Sequence, residues 1–218
     1  MSENLPTQAQ ADIVCQMKSH RLVPVIVLDR AEEGAPLAEA LVSGGLPVAE
    51  VTMRTPAALD AMRNIAQFPD VLLGAGTVLQ PEQVDMAVDS GAKYIICPGM
   101  HRGVIERCLE LGVLCIPGAI TPSDIALAMD YGLEQVKFFP AEAFGGAKTL
   151  KAMAAPYQEM RFVPTGGIHA GNVADYLAIP SVVACGGSWM VDRKLVNEGK
   201  FDAITSLVSE AVNLVKGI

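Results

Sequence analysis

Apolar residues in this chain gather in short, nearly unbroken runs, and each run gives way to a longer stretch where apolar positions recur every three or four residues. The runs are Leu22–Leu28, Val48–Thr52, Val71–Gly74, Tyr94–Cys97, Val113–Ile116, Gln135–Phe139, Arg161–Thr165 and Val182–Cys185. A strand that is apolar at successive positions, rather than alternate ones, is buried on both faces, as in a parallel sheet covered by helices. The stretches between them have helical spacing: Pro36–Ser43, Pro56–Gln67, Pro81–Ser90, Arg102–Leu111, Ser123–Tyr131, Ala147–Ala154, Ala170–Leu177 and Phe201–Val215. A further helix, around Gln8–Ser19, precedes the first strand. Repeated strand–helix units predict an α/β fold. Eight of them in 218 residues favour one (β/α)₈ TIM barrel spanning residues 1–218. An open doubly wound sheet shows the same alternation, and strand count alone does not exclude it.

The punctuation has a direction. Gly, Pro and Thr cluster where strands end: Gly74-Ala75-Gly76-Thr77, Pro98-Gly99, Pro117-Gly118, Pro140, Thr165-Gly166-Gly167 and Gly186-Gly187-Ser188. The turns that lead from helix to strand, such as Ser90-Gly91-Ala92, are plainer. Glycine lets backbone approach a ligand, and barrel enzymes work at the C-terminal ends of their strands. The asymmetry predicts a site assembled from many strand ends.

Composition narrows the field. The chain is 51% hydrophobic and 18% charged, which suits strands buried on both faces. No segment approaches the roughly 20 uninterrupted apolar residues of a membrane helix, so no membrane partner is expected. A formal charge of −8 argues against a nucleic-acid partner. The N-terminus MSENLPTQAQ lacks a basic region followed by an apolar core, and the five cysteines are scattered with no C-x-x-C. Both features fit a cytoplasmic chain with reduced thiols. His20, His101 and His169 are far apart, and no metal-ligand spacing occurs, so neither a metal nor another cofactor is expected.

Two charged residues interrupt apolar strands. Lys137 stands between Val136 and Phe138. Burying a lysine favours its neutral amine, the form that attacks a ketone to give a Schiff base. The alternative is a strand-end lysine that snorkels to water. Glu50 lies in Ala49-Glu50-Val51-Thr52-Met53-Arg54, and a period of two puts Glu50, Thr52 and Arg54 on one face. A carboxylate can shuttle protons in aldol cleavage, and an arginine fork can hold a keto acid's carboxylate. The alternative is a Glu50–Arg54 salt bridge that ties a loop. The glycine turns Thr165-Gly166-Gly167 and Gly186-Gly187-Ser188 end the seventh and eighth strands, where barrel enzymes bind phosphate through backbone N–H groups, although both are also plausible as structural turns. Thr77 is either a carboxylate ligand or an N-cap of the helix at Pro81, and Phe139 either walls a pocket or packs the core. Cys97 and Cys185 read as inert core thiols, Trp189 as packing, and His101 and His169 as capping or surface residues.

The segments Glu50-Val51-Thr52-Met53-Arg54-Thr55, Gly74-Ala75-Gly76-Thr77-Val78, Pro98-Gly99, Val136-Lys137-Phe138-Phe139-Pro140-Ala141-Glu142, Pro164-Thr165-Gly166-Gly167-Ile168 and Gly186-Gly187-Ser188-Trp189 together resemble the 2-keto-3-deoxy-6-phosphogluconate (KDPG) / 4-hydroxy-2-oxoglutarate aldolase family, from about Leu22 to about Val212. The resemblance implies Lys137 as Schiff-base lysine and Glu50 as general acid/base. It implies Arg54 and Thr77 for the pyruvyl carboxylate, Pro98 and Phe139 as pocket walls, and Thr165, Gly166, Gly167 and Ser188 for the distal hydroxyls and phosphate. It also implies a homotrimer, a phosphorylated keto-acid substrate and no metal. A phosphate-binding barrel isomerase without an imine would share the glycine turns but would not need Lys137. A sugar-phosphate sensor would need neither the lysine nor the carboxylate.

Overall fold

The computed structural model describes residues 7–218. Helix α1 (Gln8–His20) starts at Thr7, whose hydroxyl accepts from the Gln10 N–H while its own N–H donates to the Gln10 carboxamide. This reciprocal cap satisfies two donors that the first helical turn leaves free. The repeating units then begin: β1 (Leu22–Ile26), α2 (Gly34–Ser43), β2 (Val48–Thr52), α3 (Ala58–Ile65), β3 (Leu72–Gly76), α4 (Pro81–Asp89), β4 (Tyr94–Ile96), α5 (Arg102–Leu111), β5 (Leu114–Ile116) and α6 (Pro122–Asp130). They continue as β6 (Gln135–Val136), α7 (Gly146–Ala154), β7 (Arg161–Phe162), α8 (Val173–Leu177), β8 (Cys185–Gly187), α9 (Arg193–Asn197) and α10 (Phe201–Val215). Short 3₁₀ turns at Ala31–Glu33 and Glu142–Phe144 follow β1 and β6.

Six strands form a parallel sheet in the order β5-β4-β3-β2-β1-β8, and β6 pairs with β7 in parallel. Single bridges join the two pieces: Gly118 with Lys137 on one side, and Phe162 with Val182 and Thr165 with Gly186 on the other. Each strand therefore lies beside its sequence neighbours, and β8 lies beside β1. That cyclic order is a barrel's, because a doubly wound sheet reverses order at its switch point.

The strand runs are found where hydrophobicity places them, with shifted ends. β6 stops at Val136 rather than Phe139, and β7 at Phe162 rather than Thr165. Pro140 and Pro164 have no N–H for a ladder, so pairing there thins to single bridges. β3 runs on to Gly76, and β8 begins at Cys185, where Val182–Cys185 was expected. α9 escaped the periodicity because it has five residues. It is started by the Asp192 carboxylate, which accepts from Lys194 N and Leu195 N.

The barrel is packed throughout. Tyr94 is fully buried, donates its hydroxyl to Ala49 O at 2.9 Å, and fills space that Gly74 leaves open. A Cβ on Gly74 would be 2.2 Å from that ring. Burial, and then the Glu50 charge, push the Tyr94 hydroxyl well above its ordinary pKa, so it stays a neutral donor. Leu37 and Leu41 of α2 and Ile204 and Val208 of α10 are fully buried, each worth about 1.5–3 kcal/mol. Among the described residues no helix is long and apolar enough to cross a membrane.

Candidate active site

Lys137 follows the last residue of β6. Its N–H donates to Pro117 O and its carbonyl accepts from Ala119 N, both at 2.8 Å, which fixes the backbone against β5. Val136 and Phe138 face buried surroundings on either side, and the Lys137 side chain is itself buried. Its Nζ donates to Oε1 of Glu50 at 3.0 Å. Glu50 is 1% exposed on β2, in register with Val25 of β1 and Gly74 of β3. Desolvating two such charges costs several kcal/mol each, so only direct contact makes either tolerable inside a barrel. Lys137 therefore does not snorkel, and Glu50 does not pair with Arg54.

Gly76 makes room for the carboxylate: a Cβ there would be 2.3 Å from Glu50 Oε1. Glu50 Oε2 is buried and has no hydrogen-bond partner among the described residues, which leaves it able to accept a proton from a bound molecule. The Lys137 ammonium lies 5.2 Å from the centroid of Phe139, close enough for the ring face to stabilise positive charge.

Arg54 departs from the expected pattern. β2 ends at Thr52, so Arg54 lies in the following turn and shares no strand face with Glu50. Its Nε donates to Thr77 Oγ1 at 3.0 Å, while its two terminal nitrogens make no hydrogen bond to described residues. Thr77 does not cap α4, because Gln80 occupies that position. Thr77 has φ 60°, a left-handed conformation that costs a β-branched residue strain. Pro98 is half-buried at the end of β4. Its carbonyl would be 2.1 Å from a Cβ on Gly118, so only glycine lets it lie against the residue that bridges to Lys137.

On the other side, Thr165 is buried and bridges Gly186. Gly166 and Gly167 have φ values of 101° and 78°, which glycine alone adopts freely. A Cβ on Gly166 would lie 3.1 Å from Pro140 Cα and 3.3 Å from the Phe139 ring, so this turn abuts the lysine segment. Ser188 is exposed just past β8, and its side chain has no hydrogen bond to the other named residues. Every residue expected at the site except Glu50, which sits mid-strand on β2, thus lies at or beyond a strand's C-terminal end. The geometry joins Lys137, Glu50 and Phe139 in one contact group and Arg54 with Thr77 in another.

The remaining expectations separate cleanly. Cys97 and Cys185 are buried, and desolvation pushes the Cys185 thiol up to about 12. Trp189 lies against the backbone of Gly187. His101 precedes α5 without a side-chain cap, and His169 Nδ1 accepts from Gly171 N. No group of three or more His, Cys, Asp or Glu residues that could hold a metal occurs among the described residues. Gly76 and Gly118 were read from sequence only as strand-end punctuation, and Asn172, whose Nδ2 donates to Gly167 O at 3.1 Å, was not singled out.

A closed parallel barrel whose strand ends set a buried lysine against a buried carboxylate, with a free guanidinium fork nearby, defines an imine-forming aldolase, a carbon–carbon lyase. The comparisons agree. Residues 13–207 match the family model described as KDPG and KHG aldolase, and the chain belongs to that family. It is 45% identical over 205 residues to the 2-dehydro-3-deoxy-phosphogluconate aldolase of Haemophilus influenzae, covering 94% of this chain and 97% of that one. It is 47% identical over 196 residues to the KHG/KDPG aldolase of Escherichia coli K12, covering 89% and 92%. A crystal structure of KDPG aldolase from Legionella pneumophila, with pyruvate captured as a covalent carbinolamine, superposes with a TM-score of 0.88 at 38% identity over 95% of this chain and 99% of that one.

Proposed function

We propose that this aldolase cleaves 2-dehydro-3-deoxy-6-phosphogluconate to pyruvate and D-glyceraldehyde 3-phosphate through an imine on Lys137, and that it also cleaves 4-hydroxy-2-oxoglutarate to pyruvate and glyoxylate. The observation that carries the reading is the buried 3.0 Å contact between Lys137 Nζ and Glu50 Oε1. The Lys137 amine adds to C2 of the keto acid to give a carbinolamine. Glu50 delivers the proton that lets water leave, forming an iminium. The iminium nitrogen accepts the electron pair of the C3–C4 bond as it breaks, while Glu50 removes the C4 hydroxyl proton and the aldehyde departs. Protonation of the remaining enamine at C3 and addition of water release pyruvate and restore the lysine.

Arg54 and Thr77 hold the substrate carboxylate in this reading, and Pro98 and Phe139 wall the imine. Thr165, Gly166, Gly167 and Ser188 hold the distal hydroxyls and phosphate. Binding energy from the remote phosphate is then available to orient the C3–C4 bond for cleavage. The family resemblance supports a homotrimer working in the cytoplasm without metal or other cofactor. Borohydride reduction in the presence of pyruvate, followed by peptide mass mapping, tests the central step. The adduct is expected on the peptide containing Lys137 and should vanish in Lys137→Ala. An adduct on Lys93, Lys148 or Lys151 instead would overturn the assignment.

A further inference from the structure

Three successive carbonyls of the glycine turn are tied down. Thr165 O accepts from Ala141 N at 2.8 Å, Gly166 O from Glu142 N at 3.0 Å, and Gly167 O from Asn172 Nδ2 at 3.1 Å. In a trans peptide the C=O and the following N–H point in opposite directions. Each held carbonyl therefore turns the N–H that follows it, on Gly166, Gly167 and Ile168, away from the group that holds it. Those three N–H groups donate to no described residue.

The first two carbonyls are held by backbone. The third is held by a side chain alone, and that side chain is oddly used. Asn172 occupies the N-cap position of α8, where asparagine ordinarily bonds the helix's free N–H groups, yet it makes no such bond. Its Oδ1 instead accepts from His169 N at 2.8 Å, while Nδ2 reaches Gly167 O. One donor and one acceptor fix which way the carboxamide faces. The helix forgoes a cap, and the turn gains a clip.

We propose that Asn172 is a positioning residue for the phosphate turn. It aims the Ile168 N–H at the anion beside the Gly167 N–H, which the Glu142 N to Gly166 O bond orients, and so sets the preference for phosphorylated over unphosphorylated keto acids. The proposal rests on the phosphate reading of Gly166 and Gly167 given above. The Asn172 side chain bonds His169 N and Gly167 O and makes no hydrogen bond to Lys137 or Glu50, so its effect falls on the turn and not on the imine chemistry.

Two variants test it. Asn172→Ala removes the clip. Asn172→Ser also removes it, but supplies a good N-cap that keeps α8 in place. In both, inhibition by inorganic phosphate should weaken about fivefold to tenfold, as expected for one misdirected hydrogen bond. The kcat/KM for the phosphorylated substrate should fall by a similar factor, chiefly through KM. Cleavage of 4-hydroxy-2-oxoglutarate and borohydride trapping of pyruvate should stay within about twofold. Equal losses on both substrates, unchanged phosphate inhibition, or failure of both variants to fold would assign Asn172 to the stability of α8 and overturn the proposal. Wild-type enzyme that ignored inorganic phosphate and treated the two substrates alike would instead sink the phosphate reading itself, and this proposal with it.

Discussion

Gly76→Ala adds one methyl group at the heart of the site. Gly76 has no left-handed φ, so alanine fits its backbone and the perturbation is steric alone. The new Cβ would stand 2.3 Å from Glu50 Oε1, 2.7 Å from its Cγ and 2.9 Å from its Cδ. Contacts below about 3 Å are not tolerated by packed carbon, so the carboxylate must retreat by roughly 0.7 Å or more. It cannot swing into water, because Glu50 is 1% exposed on the central β2. A retreat of that size stretches the 3.0 Å Lys137–Glu50 contact toward the limit of hydrogen bonding. Overpacking should lower stability by about 1–3 kcal/mol, read as a shift of the urea midpoint. A catalytic group misplaced by about an ångström should lower kcat by about 10²-fold. KM should change little, because the methyl lies beside the carboxylate rather than the phosphate turn, and borohydride trapping of pyruvate should slow in parallel with kcat. A folded Gly76→Ala enzyme with kcat within about threefold of wild type would refute the claim that this glycine exists to seat Glu50.

The other predictions separate roles. Glu50→Gln should lower kcat by about 10²- to 10⁴-fold, whereas Arg54→Ala should raise KM at least as clearly as it lowers kcat; steady-state kinetics decide, and near-normal turnover in Glu50→Gln would reduce the Lys137–Glu50 pair to a structural one. Cys15 is exposed and the other four cysteines are buried, with Cys185 pushed up to about 12 by desolvation. At pH 8 a disulfide reagent should titrate one thiol of the native protein quickly, and four or more fast thiols would contradict the packing of the barrel. Asp29 is held down at about 2 by hydrogen bonds from Arg193 and Asn197, the first of which also anchors α9 to the end of β1. A carboxyl lowered by folding contributes stability that is complete above its unfolded value near pH 4 and is lost as pH falls toward 2. Asp29→Asn should therefore flatten the acid limb of a stability–pH curve between pH 4 and pH 2, and an unchanged limb would show the contact to be ineffective.

The fold was legible because parallel strands buried on both faces leave continuous apolar runs. The runs fail as a guide where proline removes a donor, which is why the ends at Phe139 and Thr165 were placed too far along. Lys137 and Glu50 stood out as charges in apolar strands. Their contact did not, because 87 positions separate them and only barrel closure brings them together. Arg54 was misplaced for a simple reason: a period of two holds only while the strand lasts, and β2 ends at Thr52. The left-handed Thr77 and the space at Gly76 are properties of the backbone and of neighbours, and a glycine-rich string reads the same whether it forms a turn or makes room for a side chain. Asn172 fell inside the helix expected over Ala170–Leu177, and only the coordinates show that it precedes α8 and where its carboxamide goes.

Under the roles proposed for Lys137 and Glu50, one arrangement serves both the resting protein and the reaction. In the resting state a buried carboxylate needs a cation, and the Lys137 ammonium supplies it at 3.0 Å. Attack on a ketone requires the amine to give up a proton, and the group best placed to receive it is the carboxylate already in contact, so the two charges disappear together. When Glu50 returns a proton to expel water, both charges reappear at once, now as iminium and carboxylate, in the same low-dielectric surroundings. The barrel is therefore never asked to hold one uncompensated charge in the steps that lead to cleavage. A carboxylate already oriented by packing costs no reorganisation when the iminium forms, and this is the condition under which an electrostatic partner lowers a barrier most.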